Sequence, residues 1–230
     1  LIHRPARDCV SSLGIPVDNL TLDDTVDQVV AMARKRDGRA RLVSTLNVDF
    51  LVNSLGTRFS RARHPELLDV LRHSDLVTAD GFPIVWLSRL TGLPLKQRVC
   101  GSDLVPALAT RAREENLSLF LLGGGEGVAS AAADELVDRN PGLRIAGTAA
   151  PYVHTQGPGL ADCERQDDEL LKEINTSGAD ILLVGLGNPS RNSGSIATAR
   201  PWKCRSRSAS AAPSNSSPGR SGAHPGGYRN

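Results

Sequence analysis

Four short polar or glycine-rich stretches each follow an apolar run, and they hold the residues whose types could do chemistry. They are STLN at residues 44–47, ADG at 79–81, LLGGG at 121–125 and VGLGNP at 184–189. An apolar run that ends in Gly, Asp or Asn is typical of a strand that ends at the ligand-binding edge of a parallel sheet. The sequence therefore predicts that these four stretches lie along one edge of a sheet.

Asp80 is the candidate acid or base among these residues. A carboxylate at a strand end can accept a proton from an attacking hydroxyl and so act as a general base. The alternative is structural, because an Asp just before a helix is a favoured N-cap residue. On residue type alone the N-cap interpretation is favoured.

Two glycine turns are candidates for holding a phosphate group. Gly123, Gly124 and Gly125 stand between a buried run and a helical pattern, where free N–H groups at a helix start can bind a diphosphate. No Gly-Lys-Ser/Thr follows, which excludes a P-loop, and a plain strand-to-helix turn fits equally well. The second turn contains Gly185, Gly187 and Asn188.

Three further polar residues are candidates for substrate binding. Thr45 and Asn47 carry uncharged hydrogen-bonding groups suited to sugar hydroxyls, although both residue types are also common in turns. Arg98 precedes a Gly and a predicted helix start, so its guanidinium could hold a diphosphate, or it could be an ordinary surface charge.

The elements that must position these residues alternate along the chain. Thr21 begins a helical pattern with acids in its first turn and bases in its last, and residues 117–122 form the strongest predicted strand. A polar turn is predicted at residues 44–47. Helices that alternate with short apolar runs predict an α/β fold, a Rossmann-like and mostly parallel sheet flanked by helices.

Composition restricts the other function classes. Apolar residues make up 40% of the 230 residues, and no run approaches the roughly 18 residues of a membrane span. The four cysteines are scattered, so we interpret them as free thiols in a reducing cytoplasm. The histidines form no metal-binding motif and there is no Asp-x-Asp pair, so we expect no metal.

Charge divides the chain at Pro189. Residues 190–230 contain six arginines, one lysine and no acid, a net charge of +7, which leaves −5 on residues 1–189. We therefore predict a globular domain over 1–189 and a basic, low-complexity, disordered tail over 190–230. A basic tail on an acidic body is also typical of an arm that binds RNA or anionic lipid.

The motifs taken together resemble the bacterial TagA–WecG–CpsF group of glycosyltransferases over residues 13–189. The matching stretches occur in the family's order: TLNVDFLVNS, DLVTADGFPIVWLSRLTGLPLKQRVCGSDL, LFLLGGGEGVASAAADEL, NPGLRIAGTAAPY and INTSGADILLVGLGNP. The long second stretch, which runs from the Asp-Gly pair to the Arg-Val-x-Gly motif, is the most specific of them.

The resemblance implies a reaction and its partners. The group transfers N-acetylmannosamine, its uronic acid or a related hexose from a UDP-sugar to a polyprenyl-diphosphate-linked N-acetylglucosamine. Transfer inverts the anomeric centre without a metal or another cofactor, in teichoic acid, capsule or exopolysaccharide synthesis. The resemblance further implies a cytoplasmic protein that contacts the inner membrane face peripherally and binds no nucleic acid, and it leaves a homo-oligomer open.

The resemblance also assigns roles to residues. Asp80 stands where the family has its proposed catalytic base, and Thr45 and Asn47 match polar residues of its pocket. Arg98 matches the arginine of the Arg-Val-x-Gly motif, a candidate partner for the departing diphosphate. Beyond Pro189 the family continues with G-x-P-K-Q-E-x-W-I and later R-A-P-x-W, which this chain lacks.

We hypothesise that residues after about Pro189 are translated out of frame, which would leave the C-terminal part of the fold incomplete. Codons shifted by one nucleotide let SRNSGS be read as PELWI, and PWKCRSRSASAAPSNSSPG as LEVPVAIGVGGTFEFIAG. SGAHPGG can likewise be read as RRAPRW. These are the missing family motifs in the right order, so the 230-residue chain is expected to be a weak or inactive transferase.

Two other classes stay open from the sequence. A non-enzymatic protein with a basic RNA- or lipid-binding arm would explain the tail, although the tail has only Trp202 and Tyr228 as aromatics and no RNA-module signature. A dinucleotide-dependent oxidoreductase is disfavoured, since GGGEGVA lacks the G-x-G-x-x-G spacing and no acid follows at the usual distance.

Overall fold

The computed structural model describes residues 8–12, 14–55, 66–151, 160–185 and 195–198, in which strands and helices alternate. The strands are β1 (Cys9–Ser12), β2 (Ile15–Asp18), β3 (Arg41–Leu46), β4 (Leu76–Ala79), β5 (Ser118–Gly123), β6 (Arg144–Ala149), β7 (Ile181–Gly185) and β8 (Ser195–Thr198). The helices are α1 (Leu22–Arg34), α2 (Val48–Leu55), α3 (Glu66–His73), α4 (Phe82–Leu90), α5 (Gly101–Glu114), α6 (Val128–Arg139) and α7 (Leu160–Ser177). The predicted α/β class is confirmed.

A six-stranded sheet in the order β4-β3-β8-β7-β5-β6 forms the centre of the fold. β3 runs parallel to β4, and β5 runs parallel to both β6 and β7. β8 is antiparallel to its neighbours β3 and β7, so the predicted mostly parallel sheet is confirmed. The strand order reverses between the β3–β4 pair and the β7–β5–β6 group, and open α/β sheets bind ligands at such a reversal.

Strand β8 belongs to the region predicted as a disordered basic tail. Its four residues pair with β3 on one side and β7 on the other. The rest of residues 190–230 lies outside the described residues. The predicted domain boundary at Pro189 and the change of reading frame therefore stay predictions.

Helices cover both faces of the sheet, as strand β5 shows. Leu119 and Leu121 pack in one core cluster with residues of α1, α5 and α6, whereas Phe120 and Leu122 pack in another with Ile174 of α7. Successive strand side chains point to opposite faces, so β5 is buried on both sides. A third cluster joins β3 and β4 to the β1–β2 hairpin, α2, α3 and α4.

Helix α1 begins where its sequence predicts. The Thr21 hydroxyl accepts a hydrogen bond from the Asp24 backbone N–H at 3.1 Å, and the Asp24 carboxylate accepts one from the Thr21 N–H at 3.2 Å. This reciprocal capping box satisfies two N–H groups that have no partner within the helix. The predicted helix start at Thr21 is confirmed. Within the described residues, no helix combines the length and the apolar character needed to cross a bilayer.

Strand β3 extends further than the sequence predicts. The expected polar turn at residues 44–47 is wrong, because the strand continues through Ser44 and Thr45 to Leu46. Ser44 and Ser74 are buried, and their hydroxyls share a 2.8 Å hydrogen bond. A buried hydroxyl that has a partner is compatible with a core strand, so these polar residues do not end it.

Two buried carboxylates accept backbone N–H groups near the starts of strands β5 and β4. The Asp180 carboxylate accepts hydrogen bonds from the Ser118 N–H and the Ser118 hydroxyl, each at 2.9 Å, which ties the starts of β5 and β7 together. Asp18 accepts the Val77 N–H at 2.7 Å. Since these acids satisfy backbone donors, their role is structural.

Arg41, at the start of β3, is a buried cation held by Asp37. Nη1 of Arg41 donates to Oδ1 of Asp37 at 3.0 Å, and Nη2 pairs with the other carboxylate oxygen. The hydrogen bond from Arg41 lowers the pKa of Asp37 to about 2. The charged form of Asp37 is therefore the form that the fold stabilises.

Asp37→Asn should lower the melting temperature at neutral pH, because Arg41 then stays buried without its carboxylate. A depressed folded-state pKa contributes stability that is present above the unfolded value of 3.8 and is lost as the pH falls toward about 2. We expect the gap between variant and wild type to be widest at pH 7 and to close on acidification. Thermal unfolding measured across this range, with Asp138→Asn on the surface of α6 as control, checks it. A gap that does not change with pH contradicts it.

Candidate functional site

The predicted site residues lie at the carboxyl-terminal edge of the sheet, in two groups. Thr45, Asn47 and Asp80 stand at the ends of the paired strands β3 and β4. The glycines lie at the ends of the paired strands β5 and β7 on the other side of β8. Because β8 alone separates β3 from β7, these two strand ends are two strand spacings, about 10 Å, apart, whereas the ends of β4 and β5 are four spacings, about 19 Å, apart.

Asp80 occupies the position that β4 brings to this edge. Its backbone N–H donates to the Leu46 carbonyl at 2.7 Å, which fixes it beside the end of β3. Gly81, with φ 145°, is the N-cap residue of α4, so the N-cap interpretation of Asp80 is wrong. No hydrogen-bond donor among the described residues contacts its carboxylate.

The electrostatic environment of Asp80 favours its protonated form. The side chain is half-buried, and burial raises its pKa above the usual value of 3.8. The positive charge of Arg98 acts in the opposite direction, and the negative charge of Asp103 adds to the increase. A carboxyl group with a raised pKa is better matched to proton transfer near neutral pH than an ordinary surface carboxylate.

Arg98 is held close to Asp80 by the segment that follows α4. The next residue, Val99, donates its N–H to the Ala79 carbonyl at 2.9 Å, so the segment runs beside the end of β4. The Arg98 guanidinium lies over the Phe82 ring at 4.9 Å from its centroid. Its Nη2 donates to Oδ2 of Asp103 at 2.9 Å. Arg98 is thus fixed from two sides at the edge that carries Asp80.

Asp103 and Phe82 were not among the residues predicted for the site. Asp103 lies in the first turn of α5, where an acid is ordinarily explained by the helix dipole, and its carboxylate also accepts the Cys100 thiol at 2.9 Å. The spacing of Arg98 and Asp103 in the sequence could have indicated this ion pair. It does so only once helix α5 is known to begin at Gly101, between the two residues.

Thr45 and Asn47 come to the same edge with different surroundings. Thr45 is buried in β3 and pairs in register with Thr78 of β4. Asn47 accepts the Phe50 N–H on its side-chain oxygen at 2.9 Å and so stabilises the first turn of α2. The expected turn role of Asn47 is therefore present, and sugar binding by either residue stays a prediction.

The glycine turn after β5 is tied to the end of β7. The Gly124 N–H donates to the Gly185 carbonyl at 3.2 Å, and Gly123 and Gly124 have φ values of 127° and 75°. A Cβ on Gly124 would lie 2.8 Å from Cβ of Val128, the first residue of α6. Glycine is thus required for the turn itself. Gly187 and Asn188, also predicted to bind substrate, lie outside the described residues.

Gly124→Ala should destabilise the fold more than Gly92→Ala. Both glycines have φ +75°, so alanine meets the same backbone strain at each, but Gly92 has open space around it. We expect an additional loss of about 1–3 kcal/mol in the free energy of unfolding at Gly124, because the new methyl group overlaps Val128. Urea unfolding of the two variants measures the difference. Equal losses would show that the turn simply shifts to admit the methyl group.

The part of the chain that the structure describes brings no three His, Cys, Asp or Glu side chains together as a metal site. Metal-independent chemistry, expected from the sequence, stays a prediction. One carboxylate of raised pKa, one arginine and the hydroxyl and amide groups of β3 lie together at the β3–β4 end of this edge, and the backbone N–H groups of the glycine turn lie further along it, beyond β8. Such a set suits proton removal beside a bound diphosphate.

Known proteins match most of this chain. A family model described as the Glycosyl transferase WecG/TagA/CpsF family matches residues 10–200. An N-acetylglucosaminyldiphosphoundecaprenol N-acetyl-beta-D-mannosaminyltransferase of Bacillus spizizenii strain W23 is 29% identical over 133 residues, 58% of this chain and 48% of the relative. The protein of the same name from Bacillus subtilis strain 168 is 28% identical over 149 residues, 64% of this chain and 51% of the relative. The chain spans about half the length of the curated relatives it matches.

Proposed function

Because this chain belongs to the WecG/TagA/CpsF family of glycosyl transferases, we propose that it is an inverting hexosyltransferase of cell-surface polysaccharide synthesis. The proposed donor is a UDP-sugar that carries N-acetylmannosamine, its uronic acid or a related hexose. The proposed acceptor is a polyprenyl-diphosphate-linked N-acetylglucosamine. The names of the two Bacillus relatives support both the sugar and the acceptor.

The observation that carries the proposal is the environment of Asp80. This carboxyl group caps no helix, has a raised pKa and lies at the ligand-binding edge of the sheet. In the proposed reaction Asp80 takes the proton of the acceptor hydroxyl while that oxygen bonds to the anomeric carbon. The bond between this carbon and the diphosphate oxygen breaks, and UDP leaves with the electron pair. Attack opposite the leaving group inverts the anomeric centre.

Arg98 and the glycine turns are assigned roles from the charge that develops during the reaction. Negative charge grows on the departing diphosphate, and Arg98 is a cation whose charge acts on Asp80 at this edge. Arginine suits this role because its planar group can donate two hydrogen bonds to one phosphate. We assign the turn of Gly123, Gly124 and Gly125, with Gly185 and the undescribed Gly187 and Asn188, to the part of the UDP-sugar that extends across β8 from Arg98.

Thr45 and Asn47 complete the proposed pocket from the end of β3. The Asp80 N–H to Leu46 carbonyl bond keeps this strand end beside the base. The hydroxyl group of Thr45 and the amide group of Asn47 are of types suited to the hydroxyl and acetamido groups of the sugar. We further propose that the protein works at the cytoplasmic face of the membrane, where a polyprenyl-linked acceptor is reached.

The proposal is tested by an assay with defined substrates. Purified protein is mixed with UDP-N-acetylmannosamine and a short-chain prenyl-diphosphate N-acetylglucosamine, and released UDP and the disaccharide product are quantified. We expect a disaccharide with an inverted anomeric linkage, formed slowly by the 230-residue chain. Retention of configuration, or no product from any UDP-hexose even after the coding frame is restored, would contradict the proposal.

A further inference from the structure

Helix α4 exposes an apolar face next to the site. Its members are Phe82, Trp86 and Leu90, spaced four residues apart, and Leu93 just beyond the helix. Their exposed fractions are 72%, 64%, 63% and 53%. The opposite face of α4 is buried through Ile84, Val85 and Ser88. We name the four exposed residues the α4 stripe; they share one side of the helix because residues at i and i+4 do.

The part of the α4 stripe away from Asp80 is bordered by basic residues. Residues 81–102 contain three bases and no acid, and the acids Asp80 and Asp103 flank this range at the Arg98 end, where Asp103 pairs with Arg98. Arg89 and Lys96 are exposed beside the stripe. An apolar face bordered by arginine and lysine is typical of helices that lie in the interface of an anionic bilayer. A protein partner without negative charge would gain nothing from this border.

The residue types strengthen this assignment. The chain has only two tryptophans and four phenylalanines, yet one of each is exposed in this stripe. Every other aromatic side chain whose burial the structure describes is at least partly covered. Trp and Phe with neighbouring Leu are the side chains that insert at the boundary between lipid headgroups and acyl chains.

The α4 stripe also begins at the proposed reaction centre. Phe82 lies two residues after Asp80, and its ring lies under the Arg98 guanidinium. We propose that the α4 stripe docks this protein on an anionic lipid bilayer, with Trp86, Leu90 and Leu93 at the acyl-chain boundary. This inference deepens the proposed function, because it places the bilayer that carries a polyprenyl-linked acceptor beside Asp80 and Arg98.

The test measures binding of the full chain to vesicles without any sugar substrate. Wild type should sediment with vesicles of phosphatidylglycerol and phosphatidylcholine and only weakly with phosphatidylcholine alone. Trp86→Ser/Leu90→Ser should lower the partition coefficient by at least about tenfold, since two large apolar side chains no longer enter the lipid. Val70→Ser/Val128→Ser, which removes two exposed apolar side chains from α3 and α6, is the matched control and should bind as wild type does.

Trp86 also reports directly on insertion. With Trp202→Phe as background, Trp86 is the remaining tryptophan. Its fluorescence should shift to shorter wavelength on anionic vesicles and be quenched by brominated acyl chains. Vesicle binding without quenching would overturn the proposal, because the basic residues of 190–230 would then carry the attraction.

Two other results would also overturn it. One is unchanged vesicle binding by Trp86→Ser/Leu90→Ser. The other is a wild-type dimer in light scattering that this double variant converts to monomer, which would make the stripe an interface between copies. Failure of the proposed transferase function can be distinguished from failure of membrane docking, because transfer to a short-chain soluble acceptor needs no bilayer. Loss of vesicle binding with retained transfer to that acceptor supports both.

Discussion

Asp80→Asn should abolish sugar transfer while the UDP-sugar still binds. In protein with the coding frame restored, we expect the turnover rate to fall by about 10²–10⁴-fold, the usual contribution of a general base. Asparagine keeps the size of the side chain but cannot accept the proton of the acceptor hydroxyl. Steady-state transfer and donor binding by calorimetry separate the two effects, because Asp80 is assigned to the acceptor and not to the diphosphate.

The raised pKa of Asp80 leads to two further expectations, one for the unsubstituted protein and one for Asp80→Asn. Transfer by the unsubstituted protein should decline as the pH falls through that pKa, because the base must be deprotonated. The deprotonated carboxyl group destabilises the fold at neutral pH, and this penalty is relieved as the pH falls through the folded-state value. Asp80→Asn should therefore melt slightly higher than wild type at pH 7, and the difference should vanish below the unfolded value of 3.8.

The control for Asp80→Asn is Asp168→Asn on the exposed face of α7, which should change neither transfer nor melting. Asp103→Asn tests the neighbouring ion pair, since it removes the partner of Arg98 and one of the causes of the raised pKa. Transfer by Asp103→Asn should extend to lower pH, with weaker donor binding. Full transfer by Asp80→Asn would leave Asp80 without the proposed role.

Local sequence signals predict those elements whose stabilising contacts are local. Helix α1 is specified by the Thr21 capping box and by apolar residues at helical spacing, so its start is correct from the sequence. Strand β5 is an apolar run buried on both faces, and such runs are recognisable as strands. The β1–β2 hairpin was missed because Pro16 and paired serines are unfavourable in a strand, and only the edge position of β2 admits that proline.

The site divides in the same way. Asp80 was predicted from its place after an apolar run, but only the structure removes the N-cap alternative, since this depends on which residue starts α4. The contacts of Arg98 with Phe82 and Asp103 join residues sixteen and five positions away along the chain. They exist because Val99 hydrogen-bonds to the end of β4, a tertiary contact without a sequence periodicity.

Restoring the reading frame after Pro189 should raise transfer by at least about a hundredfold, the scale expected when a missing polar contact to the developing charge returns. The physical reason lies in the sheet. Strand β8 lies between the two groups of site residues, so its sequence borders both. A central strand of such a sheet usually reads as a continuous apolar run. The shifted reading changes the residues of β8 and supplies the apolar run VAIGV from the codons of residues 205–210 as a candidate for this place, together with the segment that resembles the family's P-K-Q-E-x-W-I motif.

The nucleotide sequence around codon 189 is the first measurement. A shift of one nucleotide should give a continuous open reading frame that contains the three recovered motifs. Early stop codons in that frame would contradict the hypothesis. The control for the activity assay is a version ended at Pro189, which lacks both the basic residues and the restored segment. It should be as inactive as the 230-residue chain, because the gain comes from new residues beside Asp80 and Arg98 and not from removal of a charge of +7.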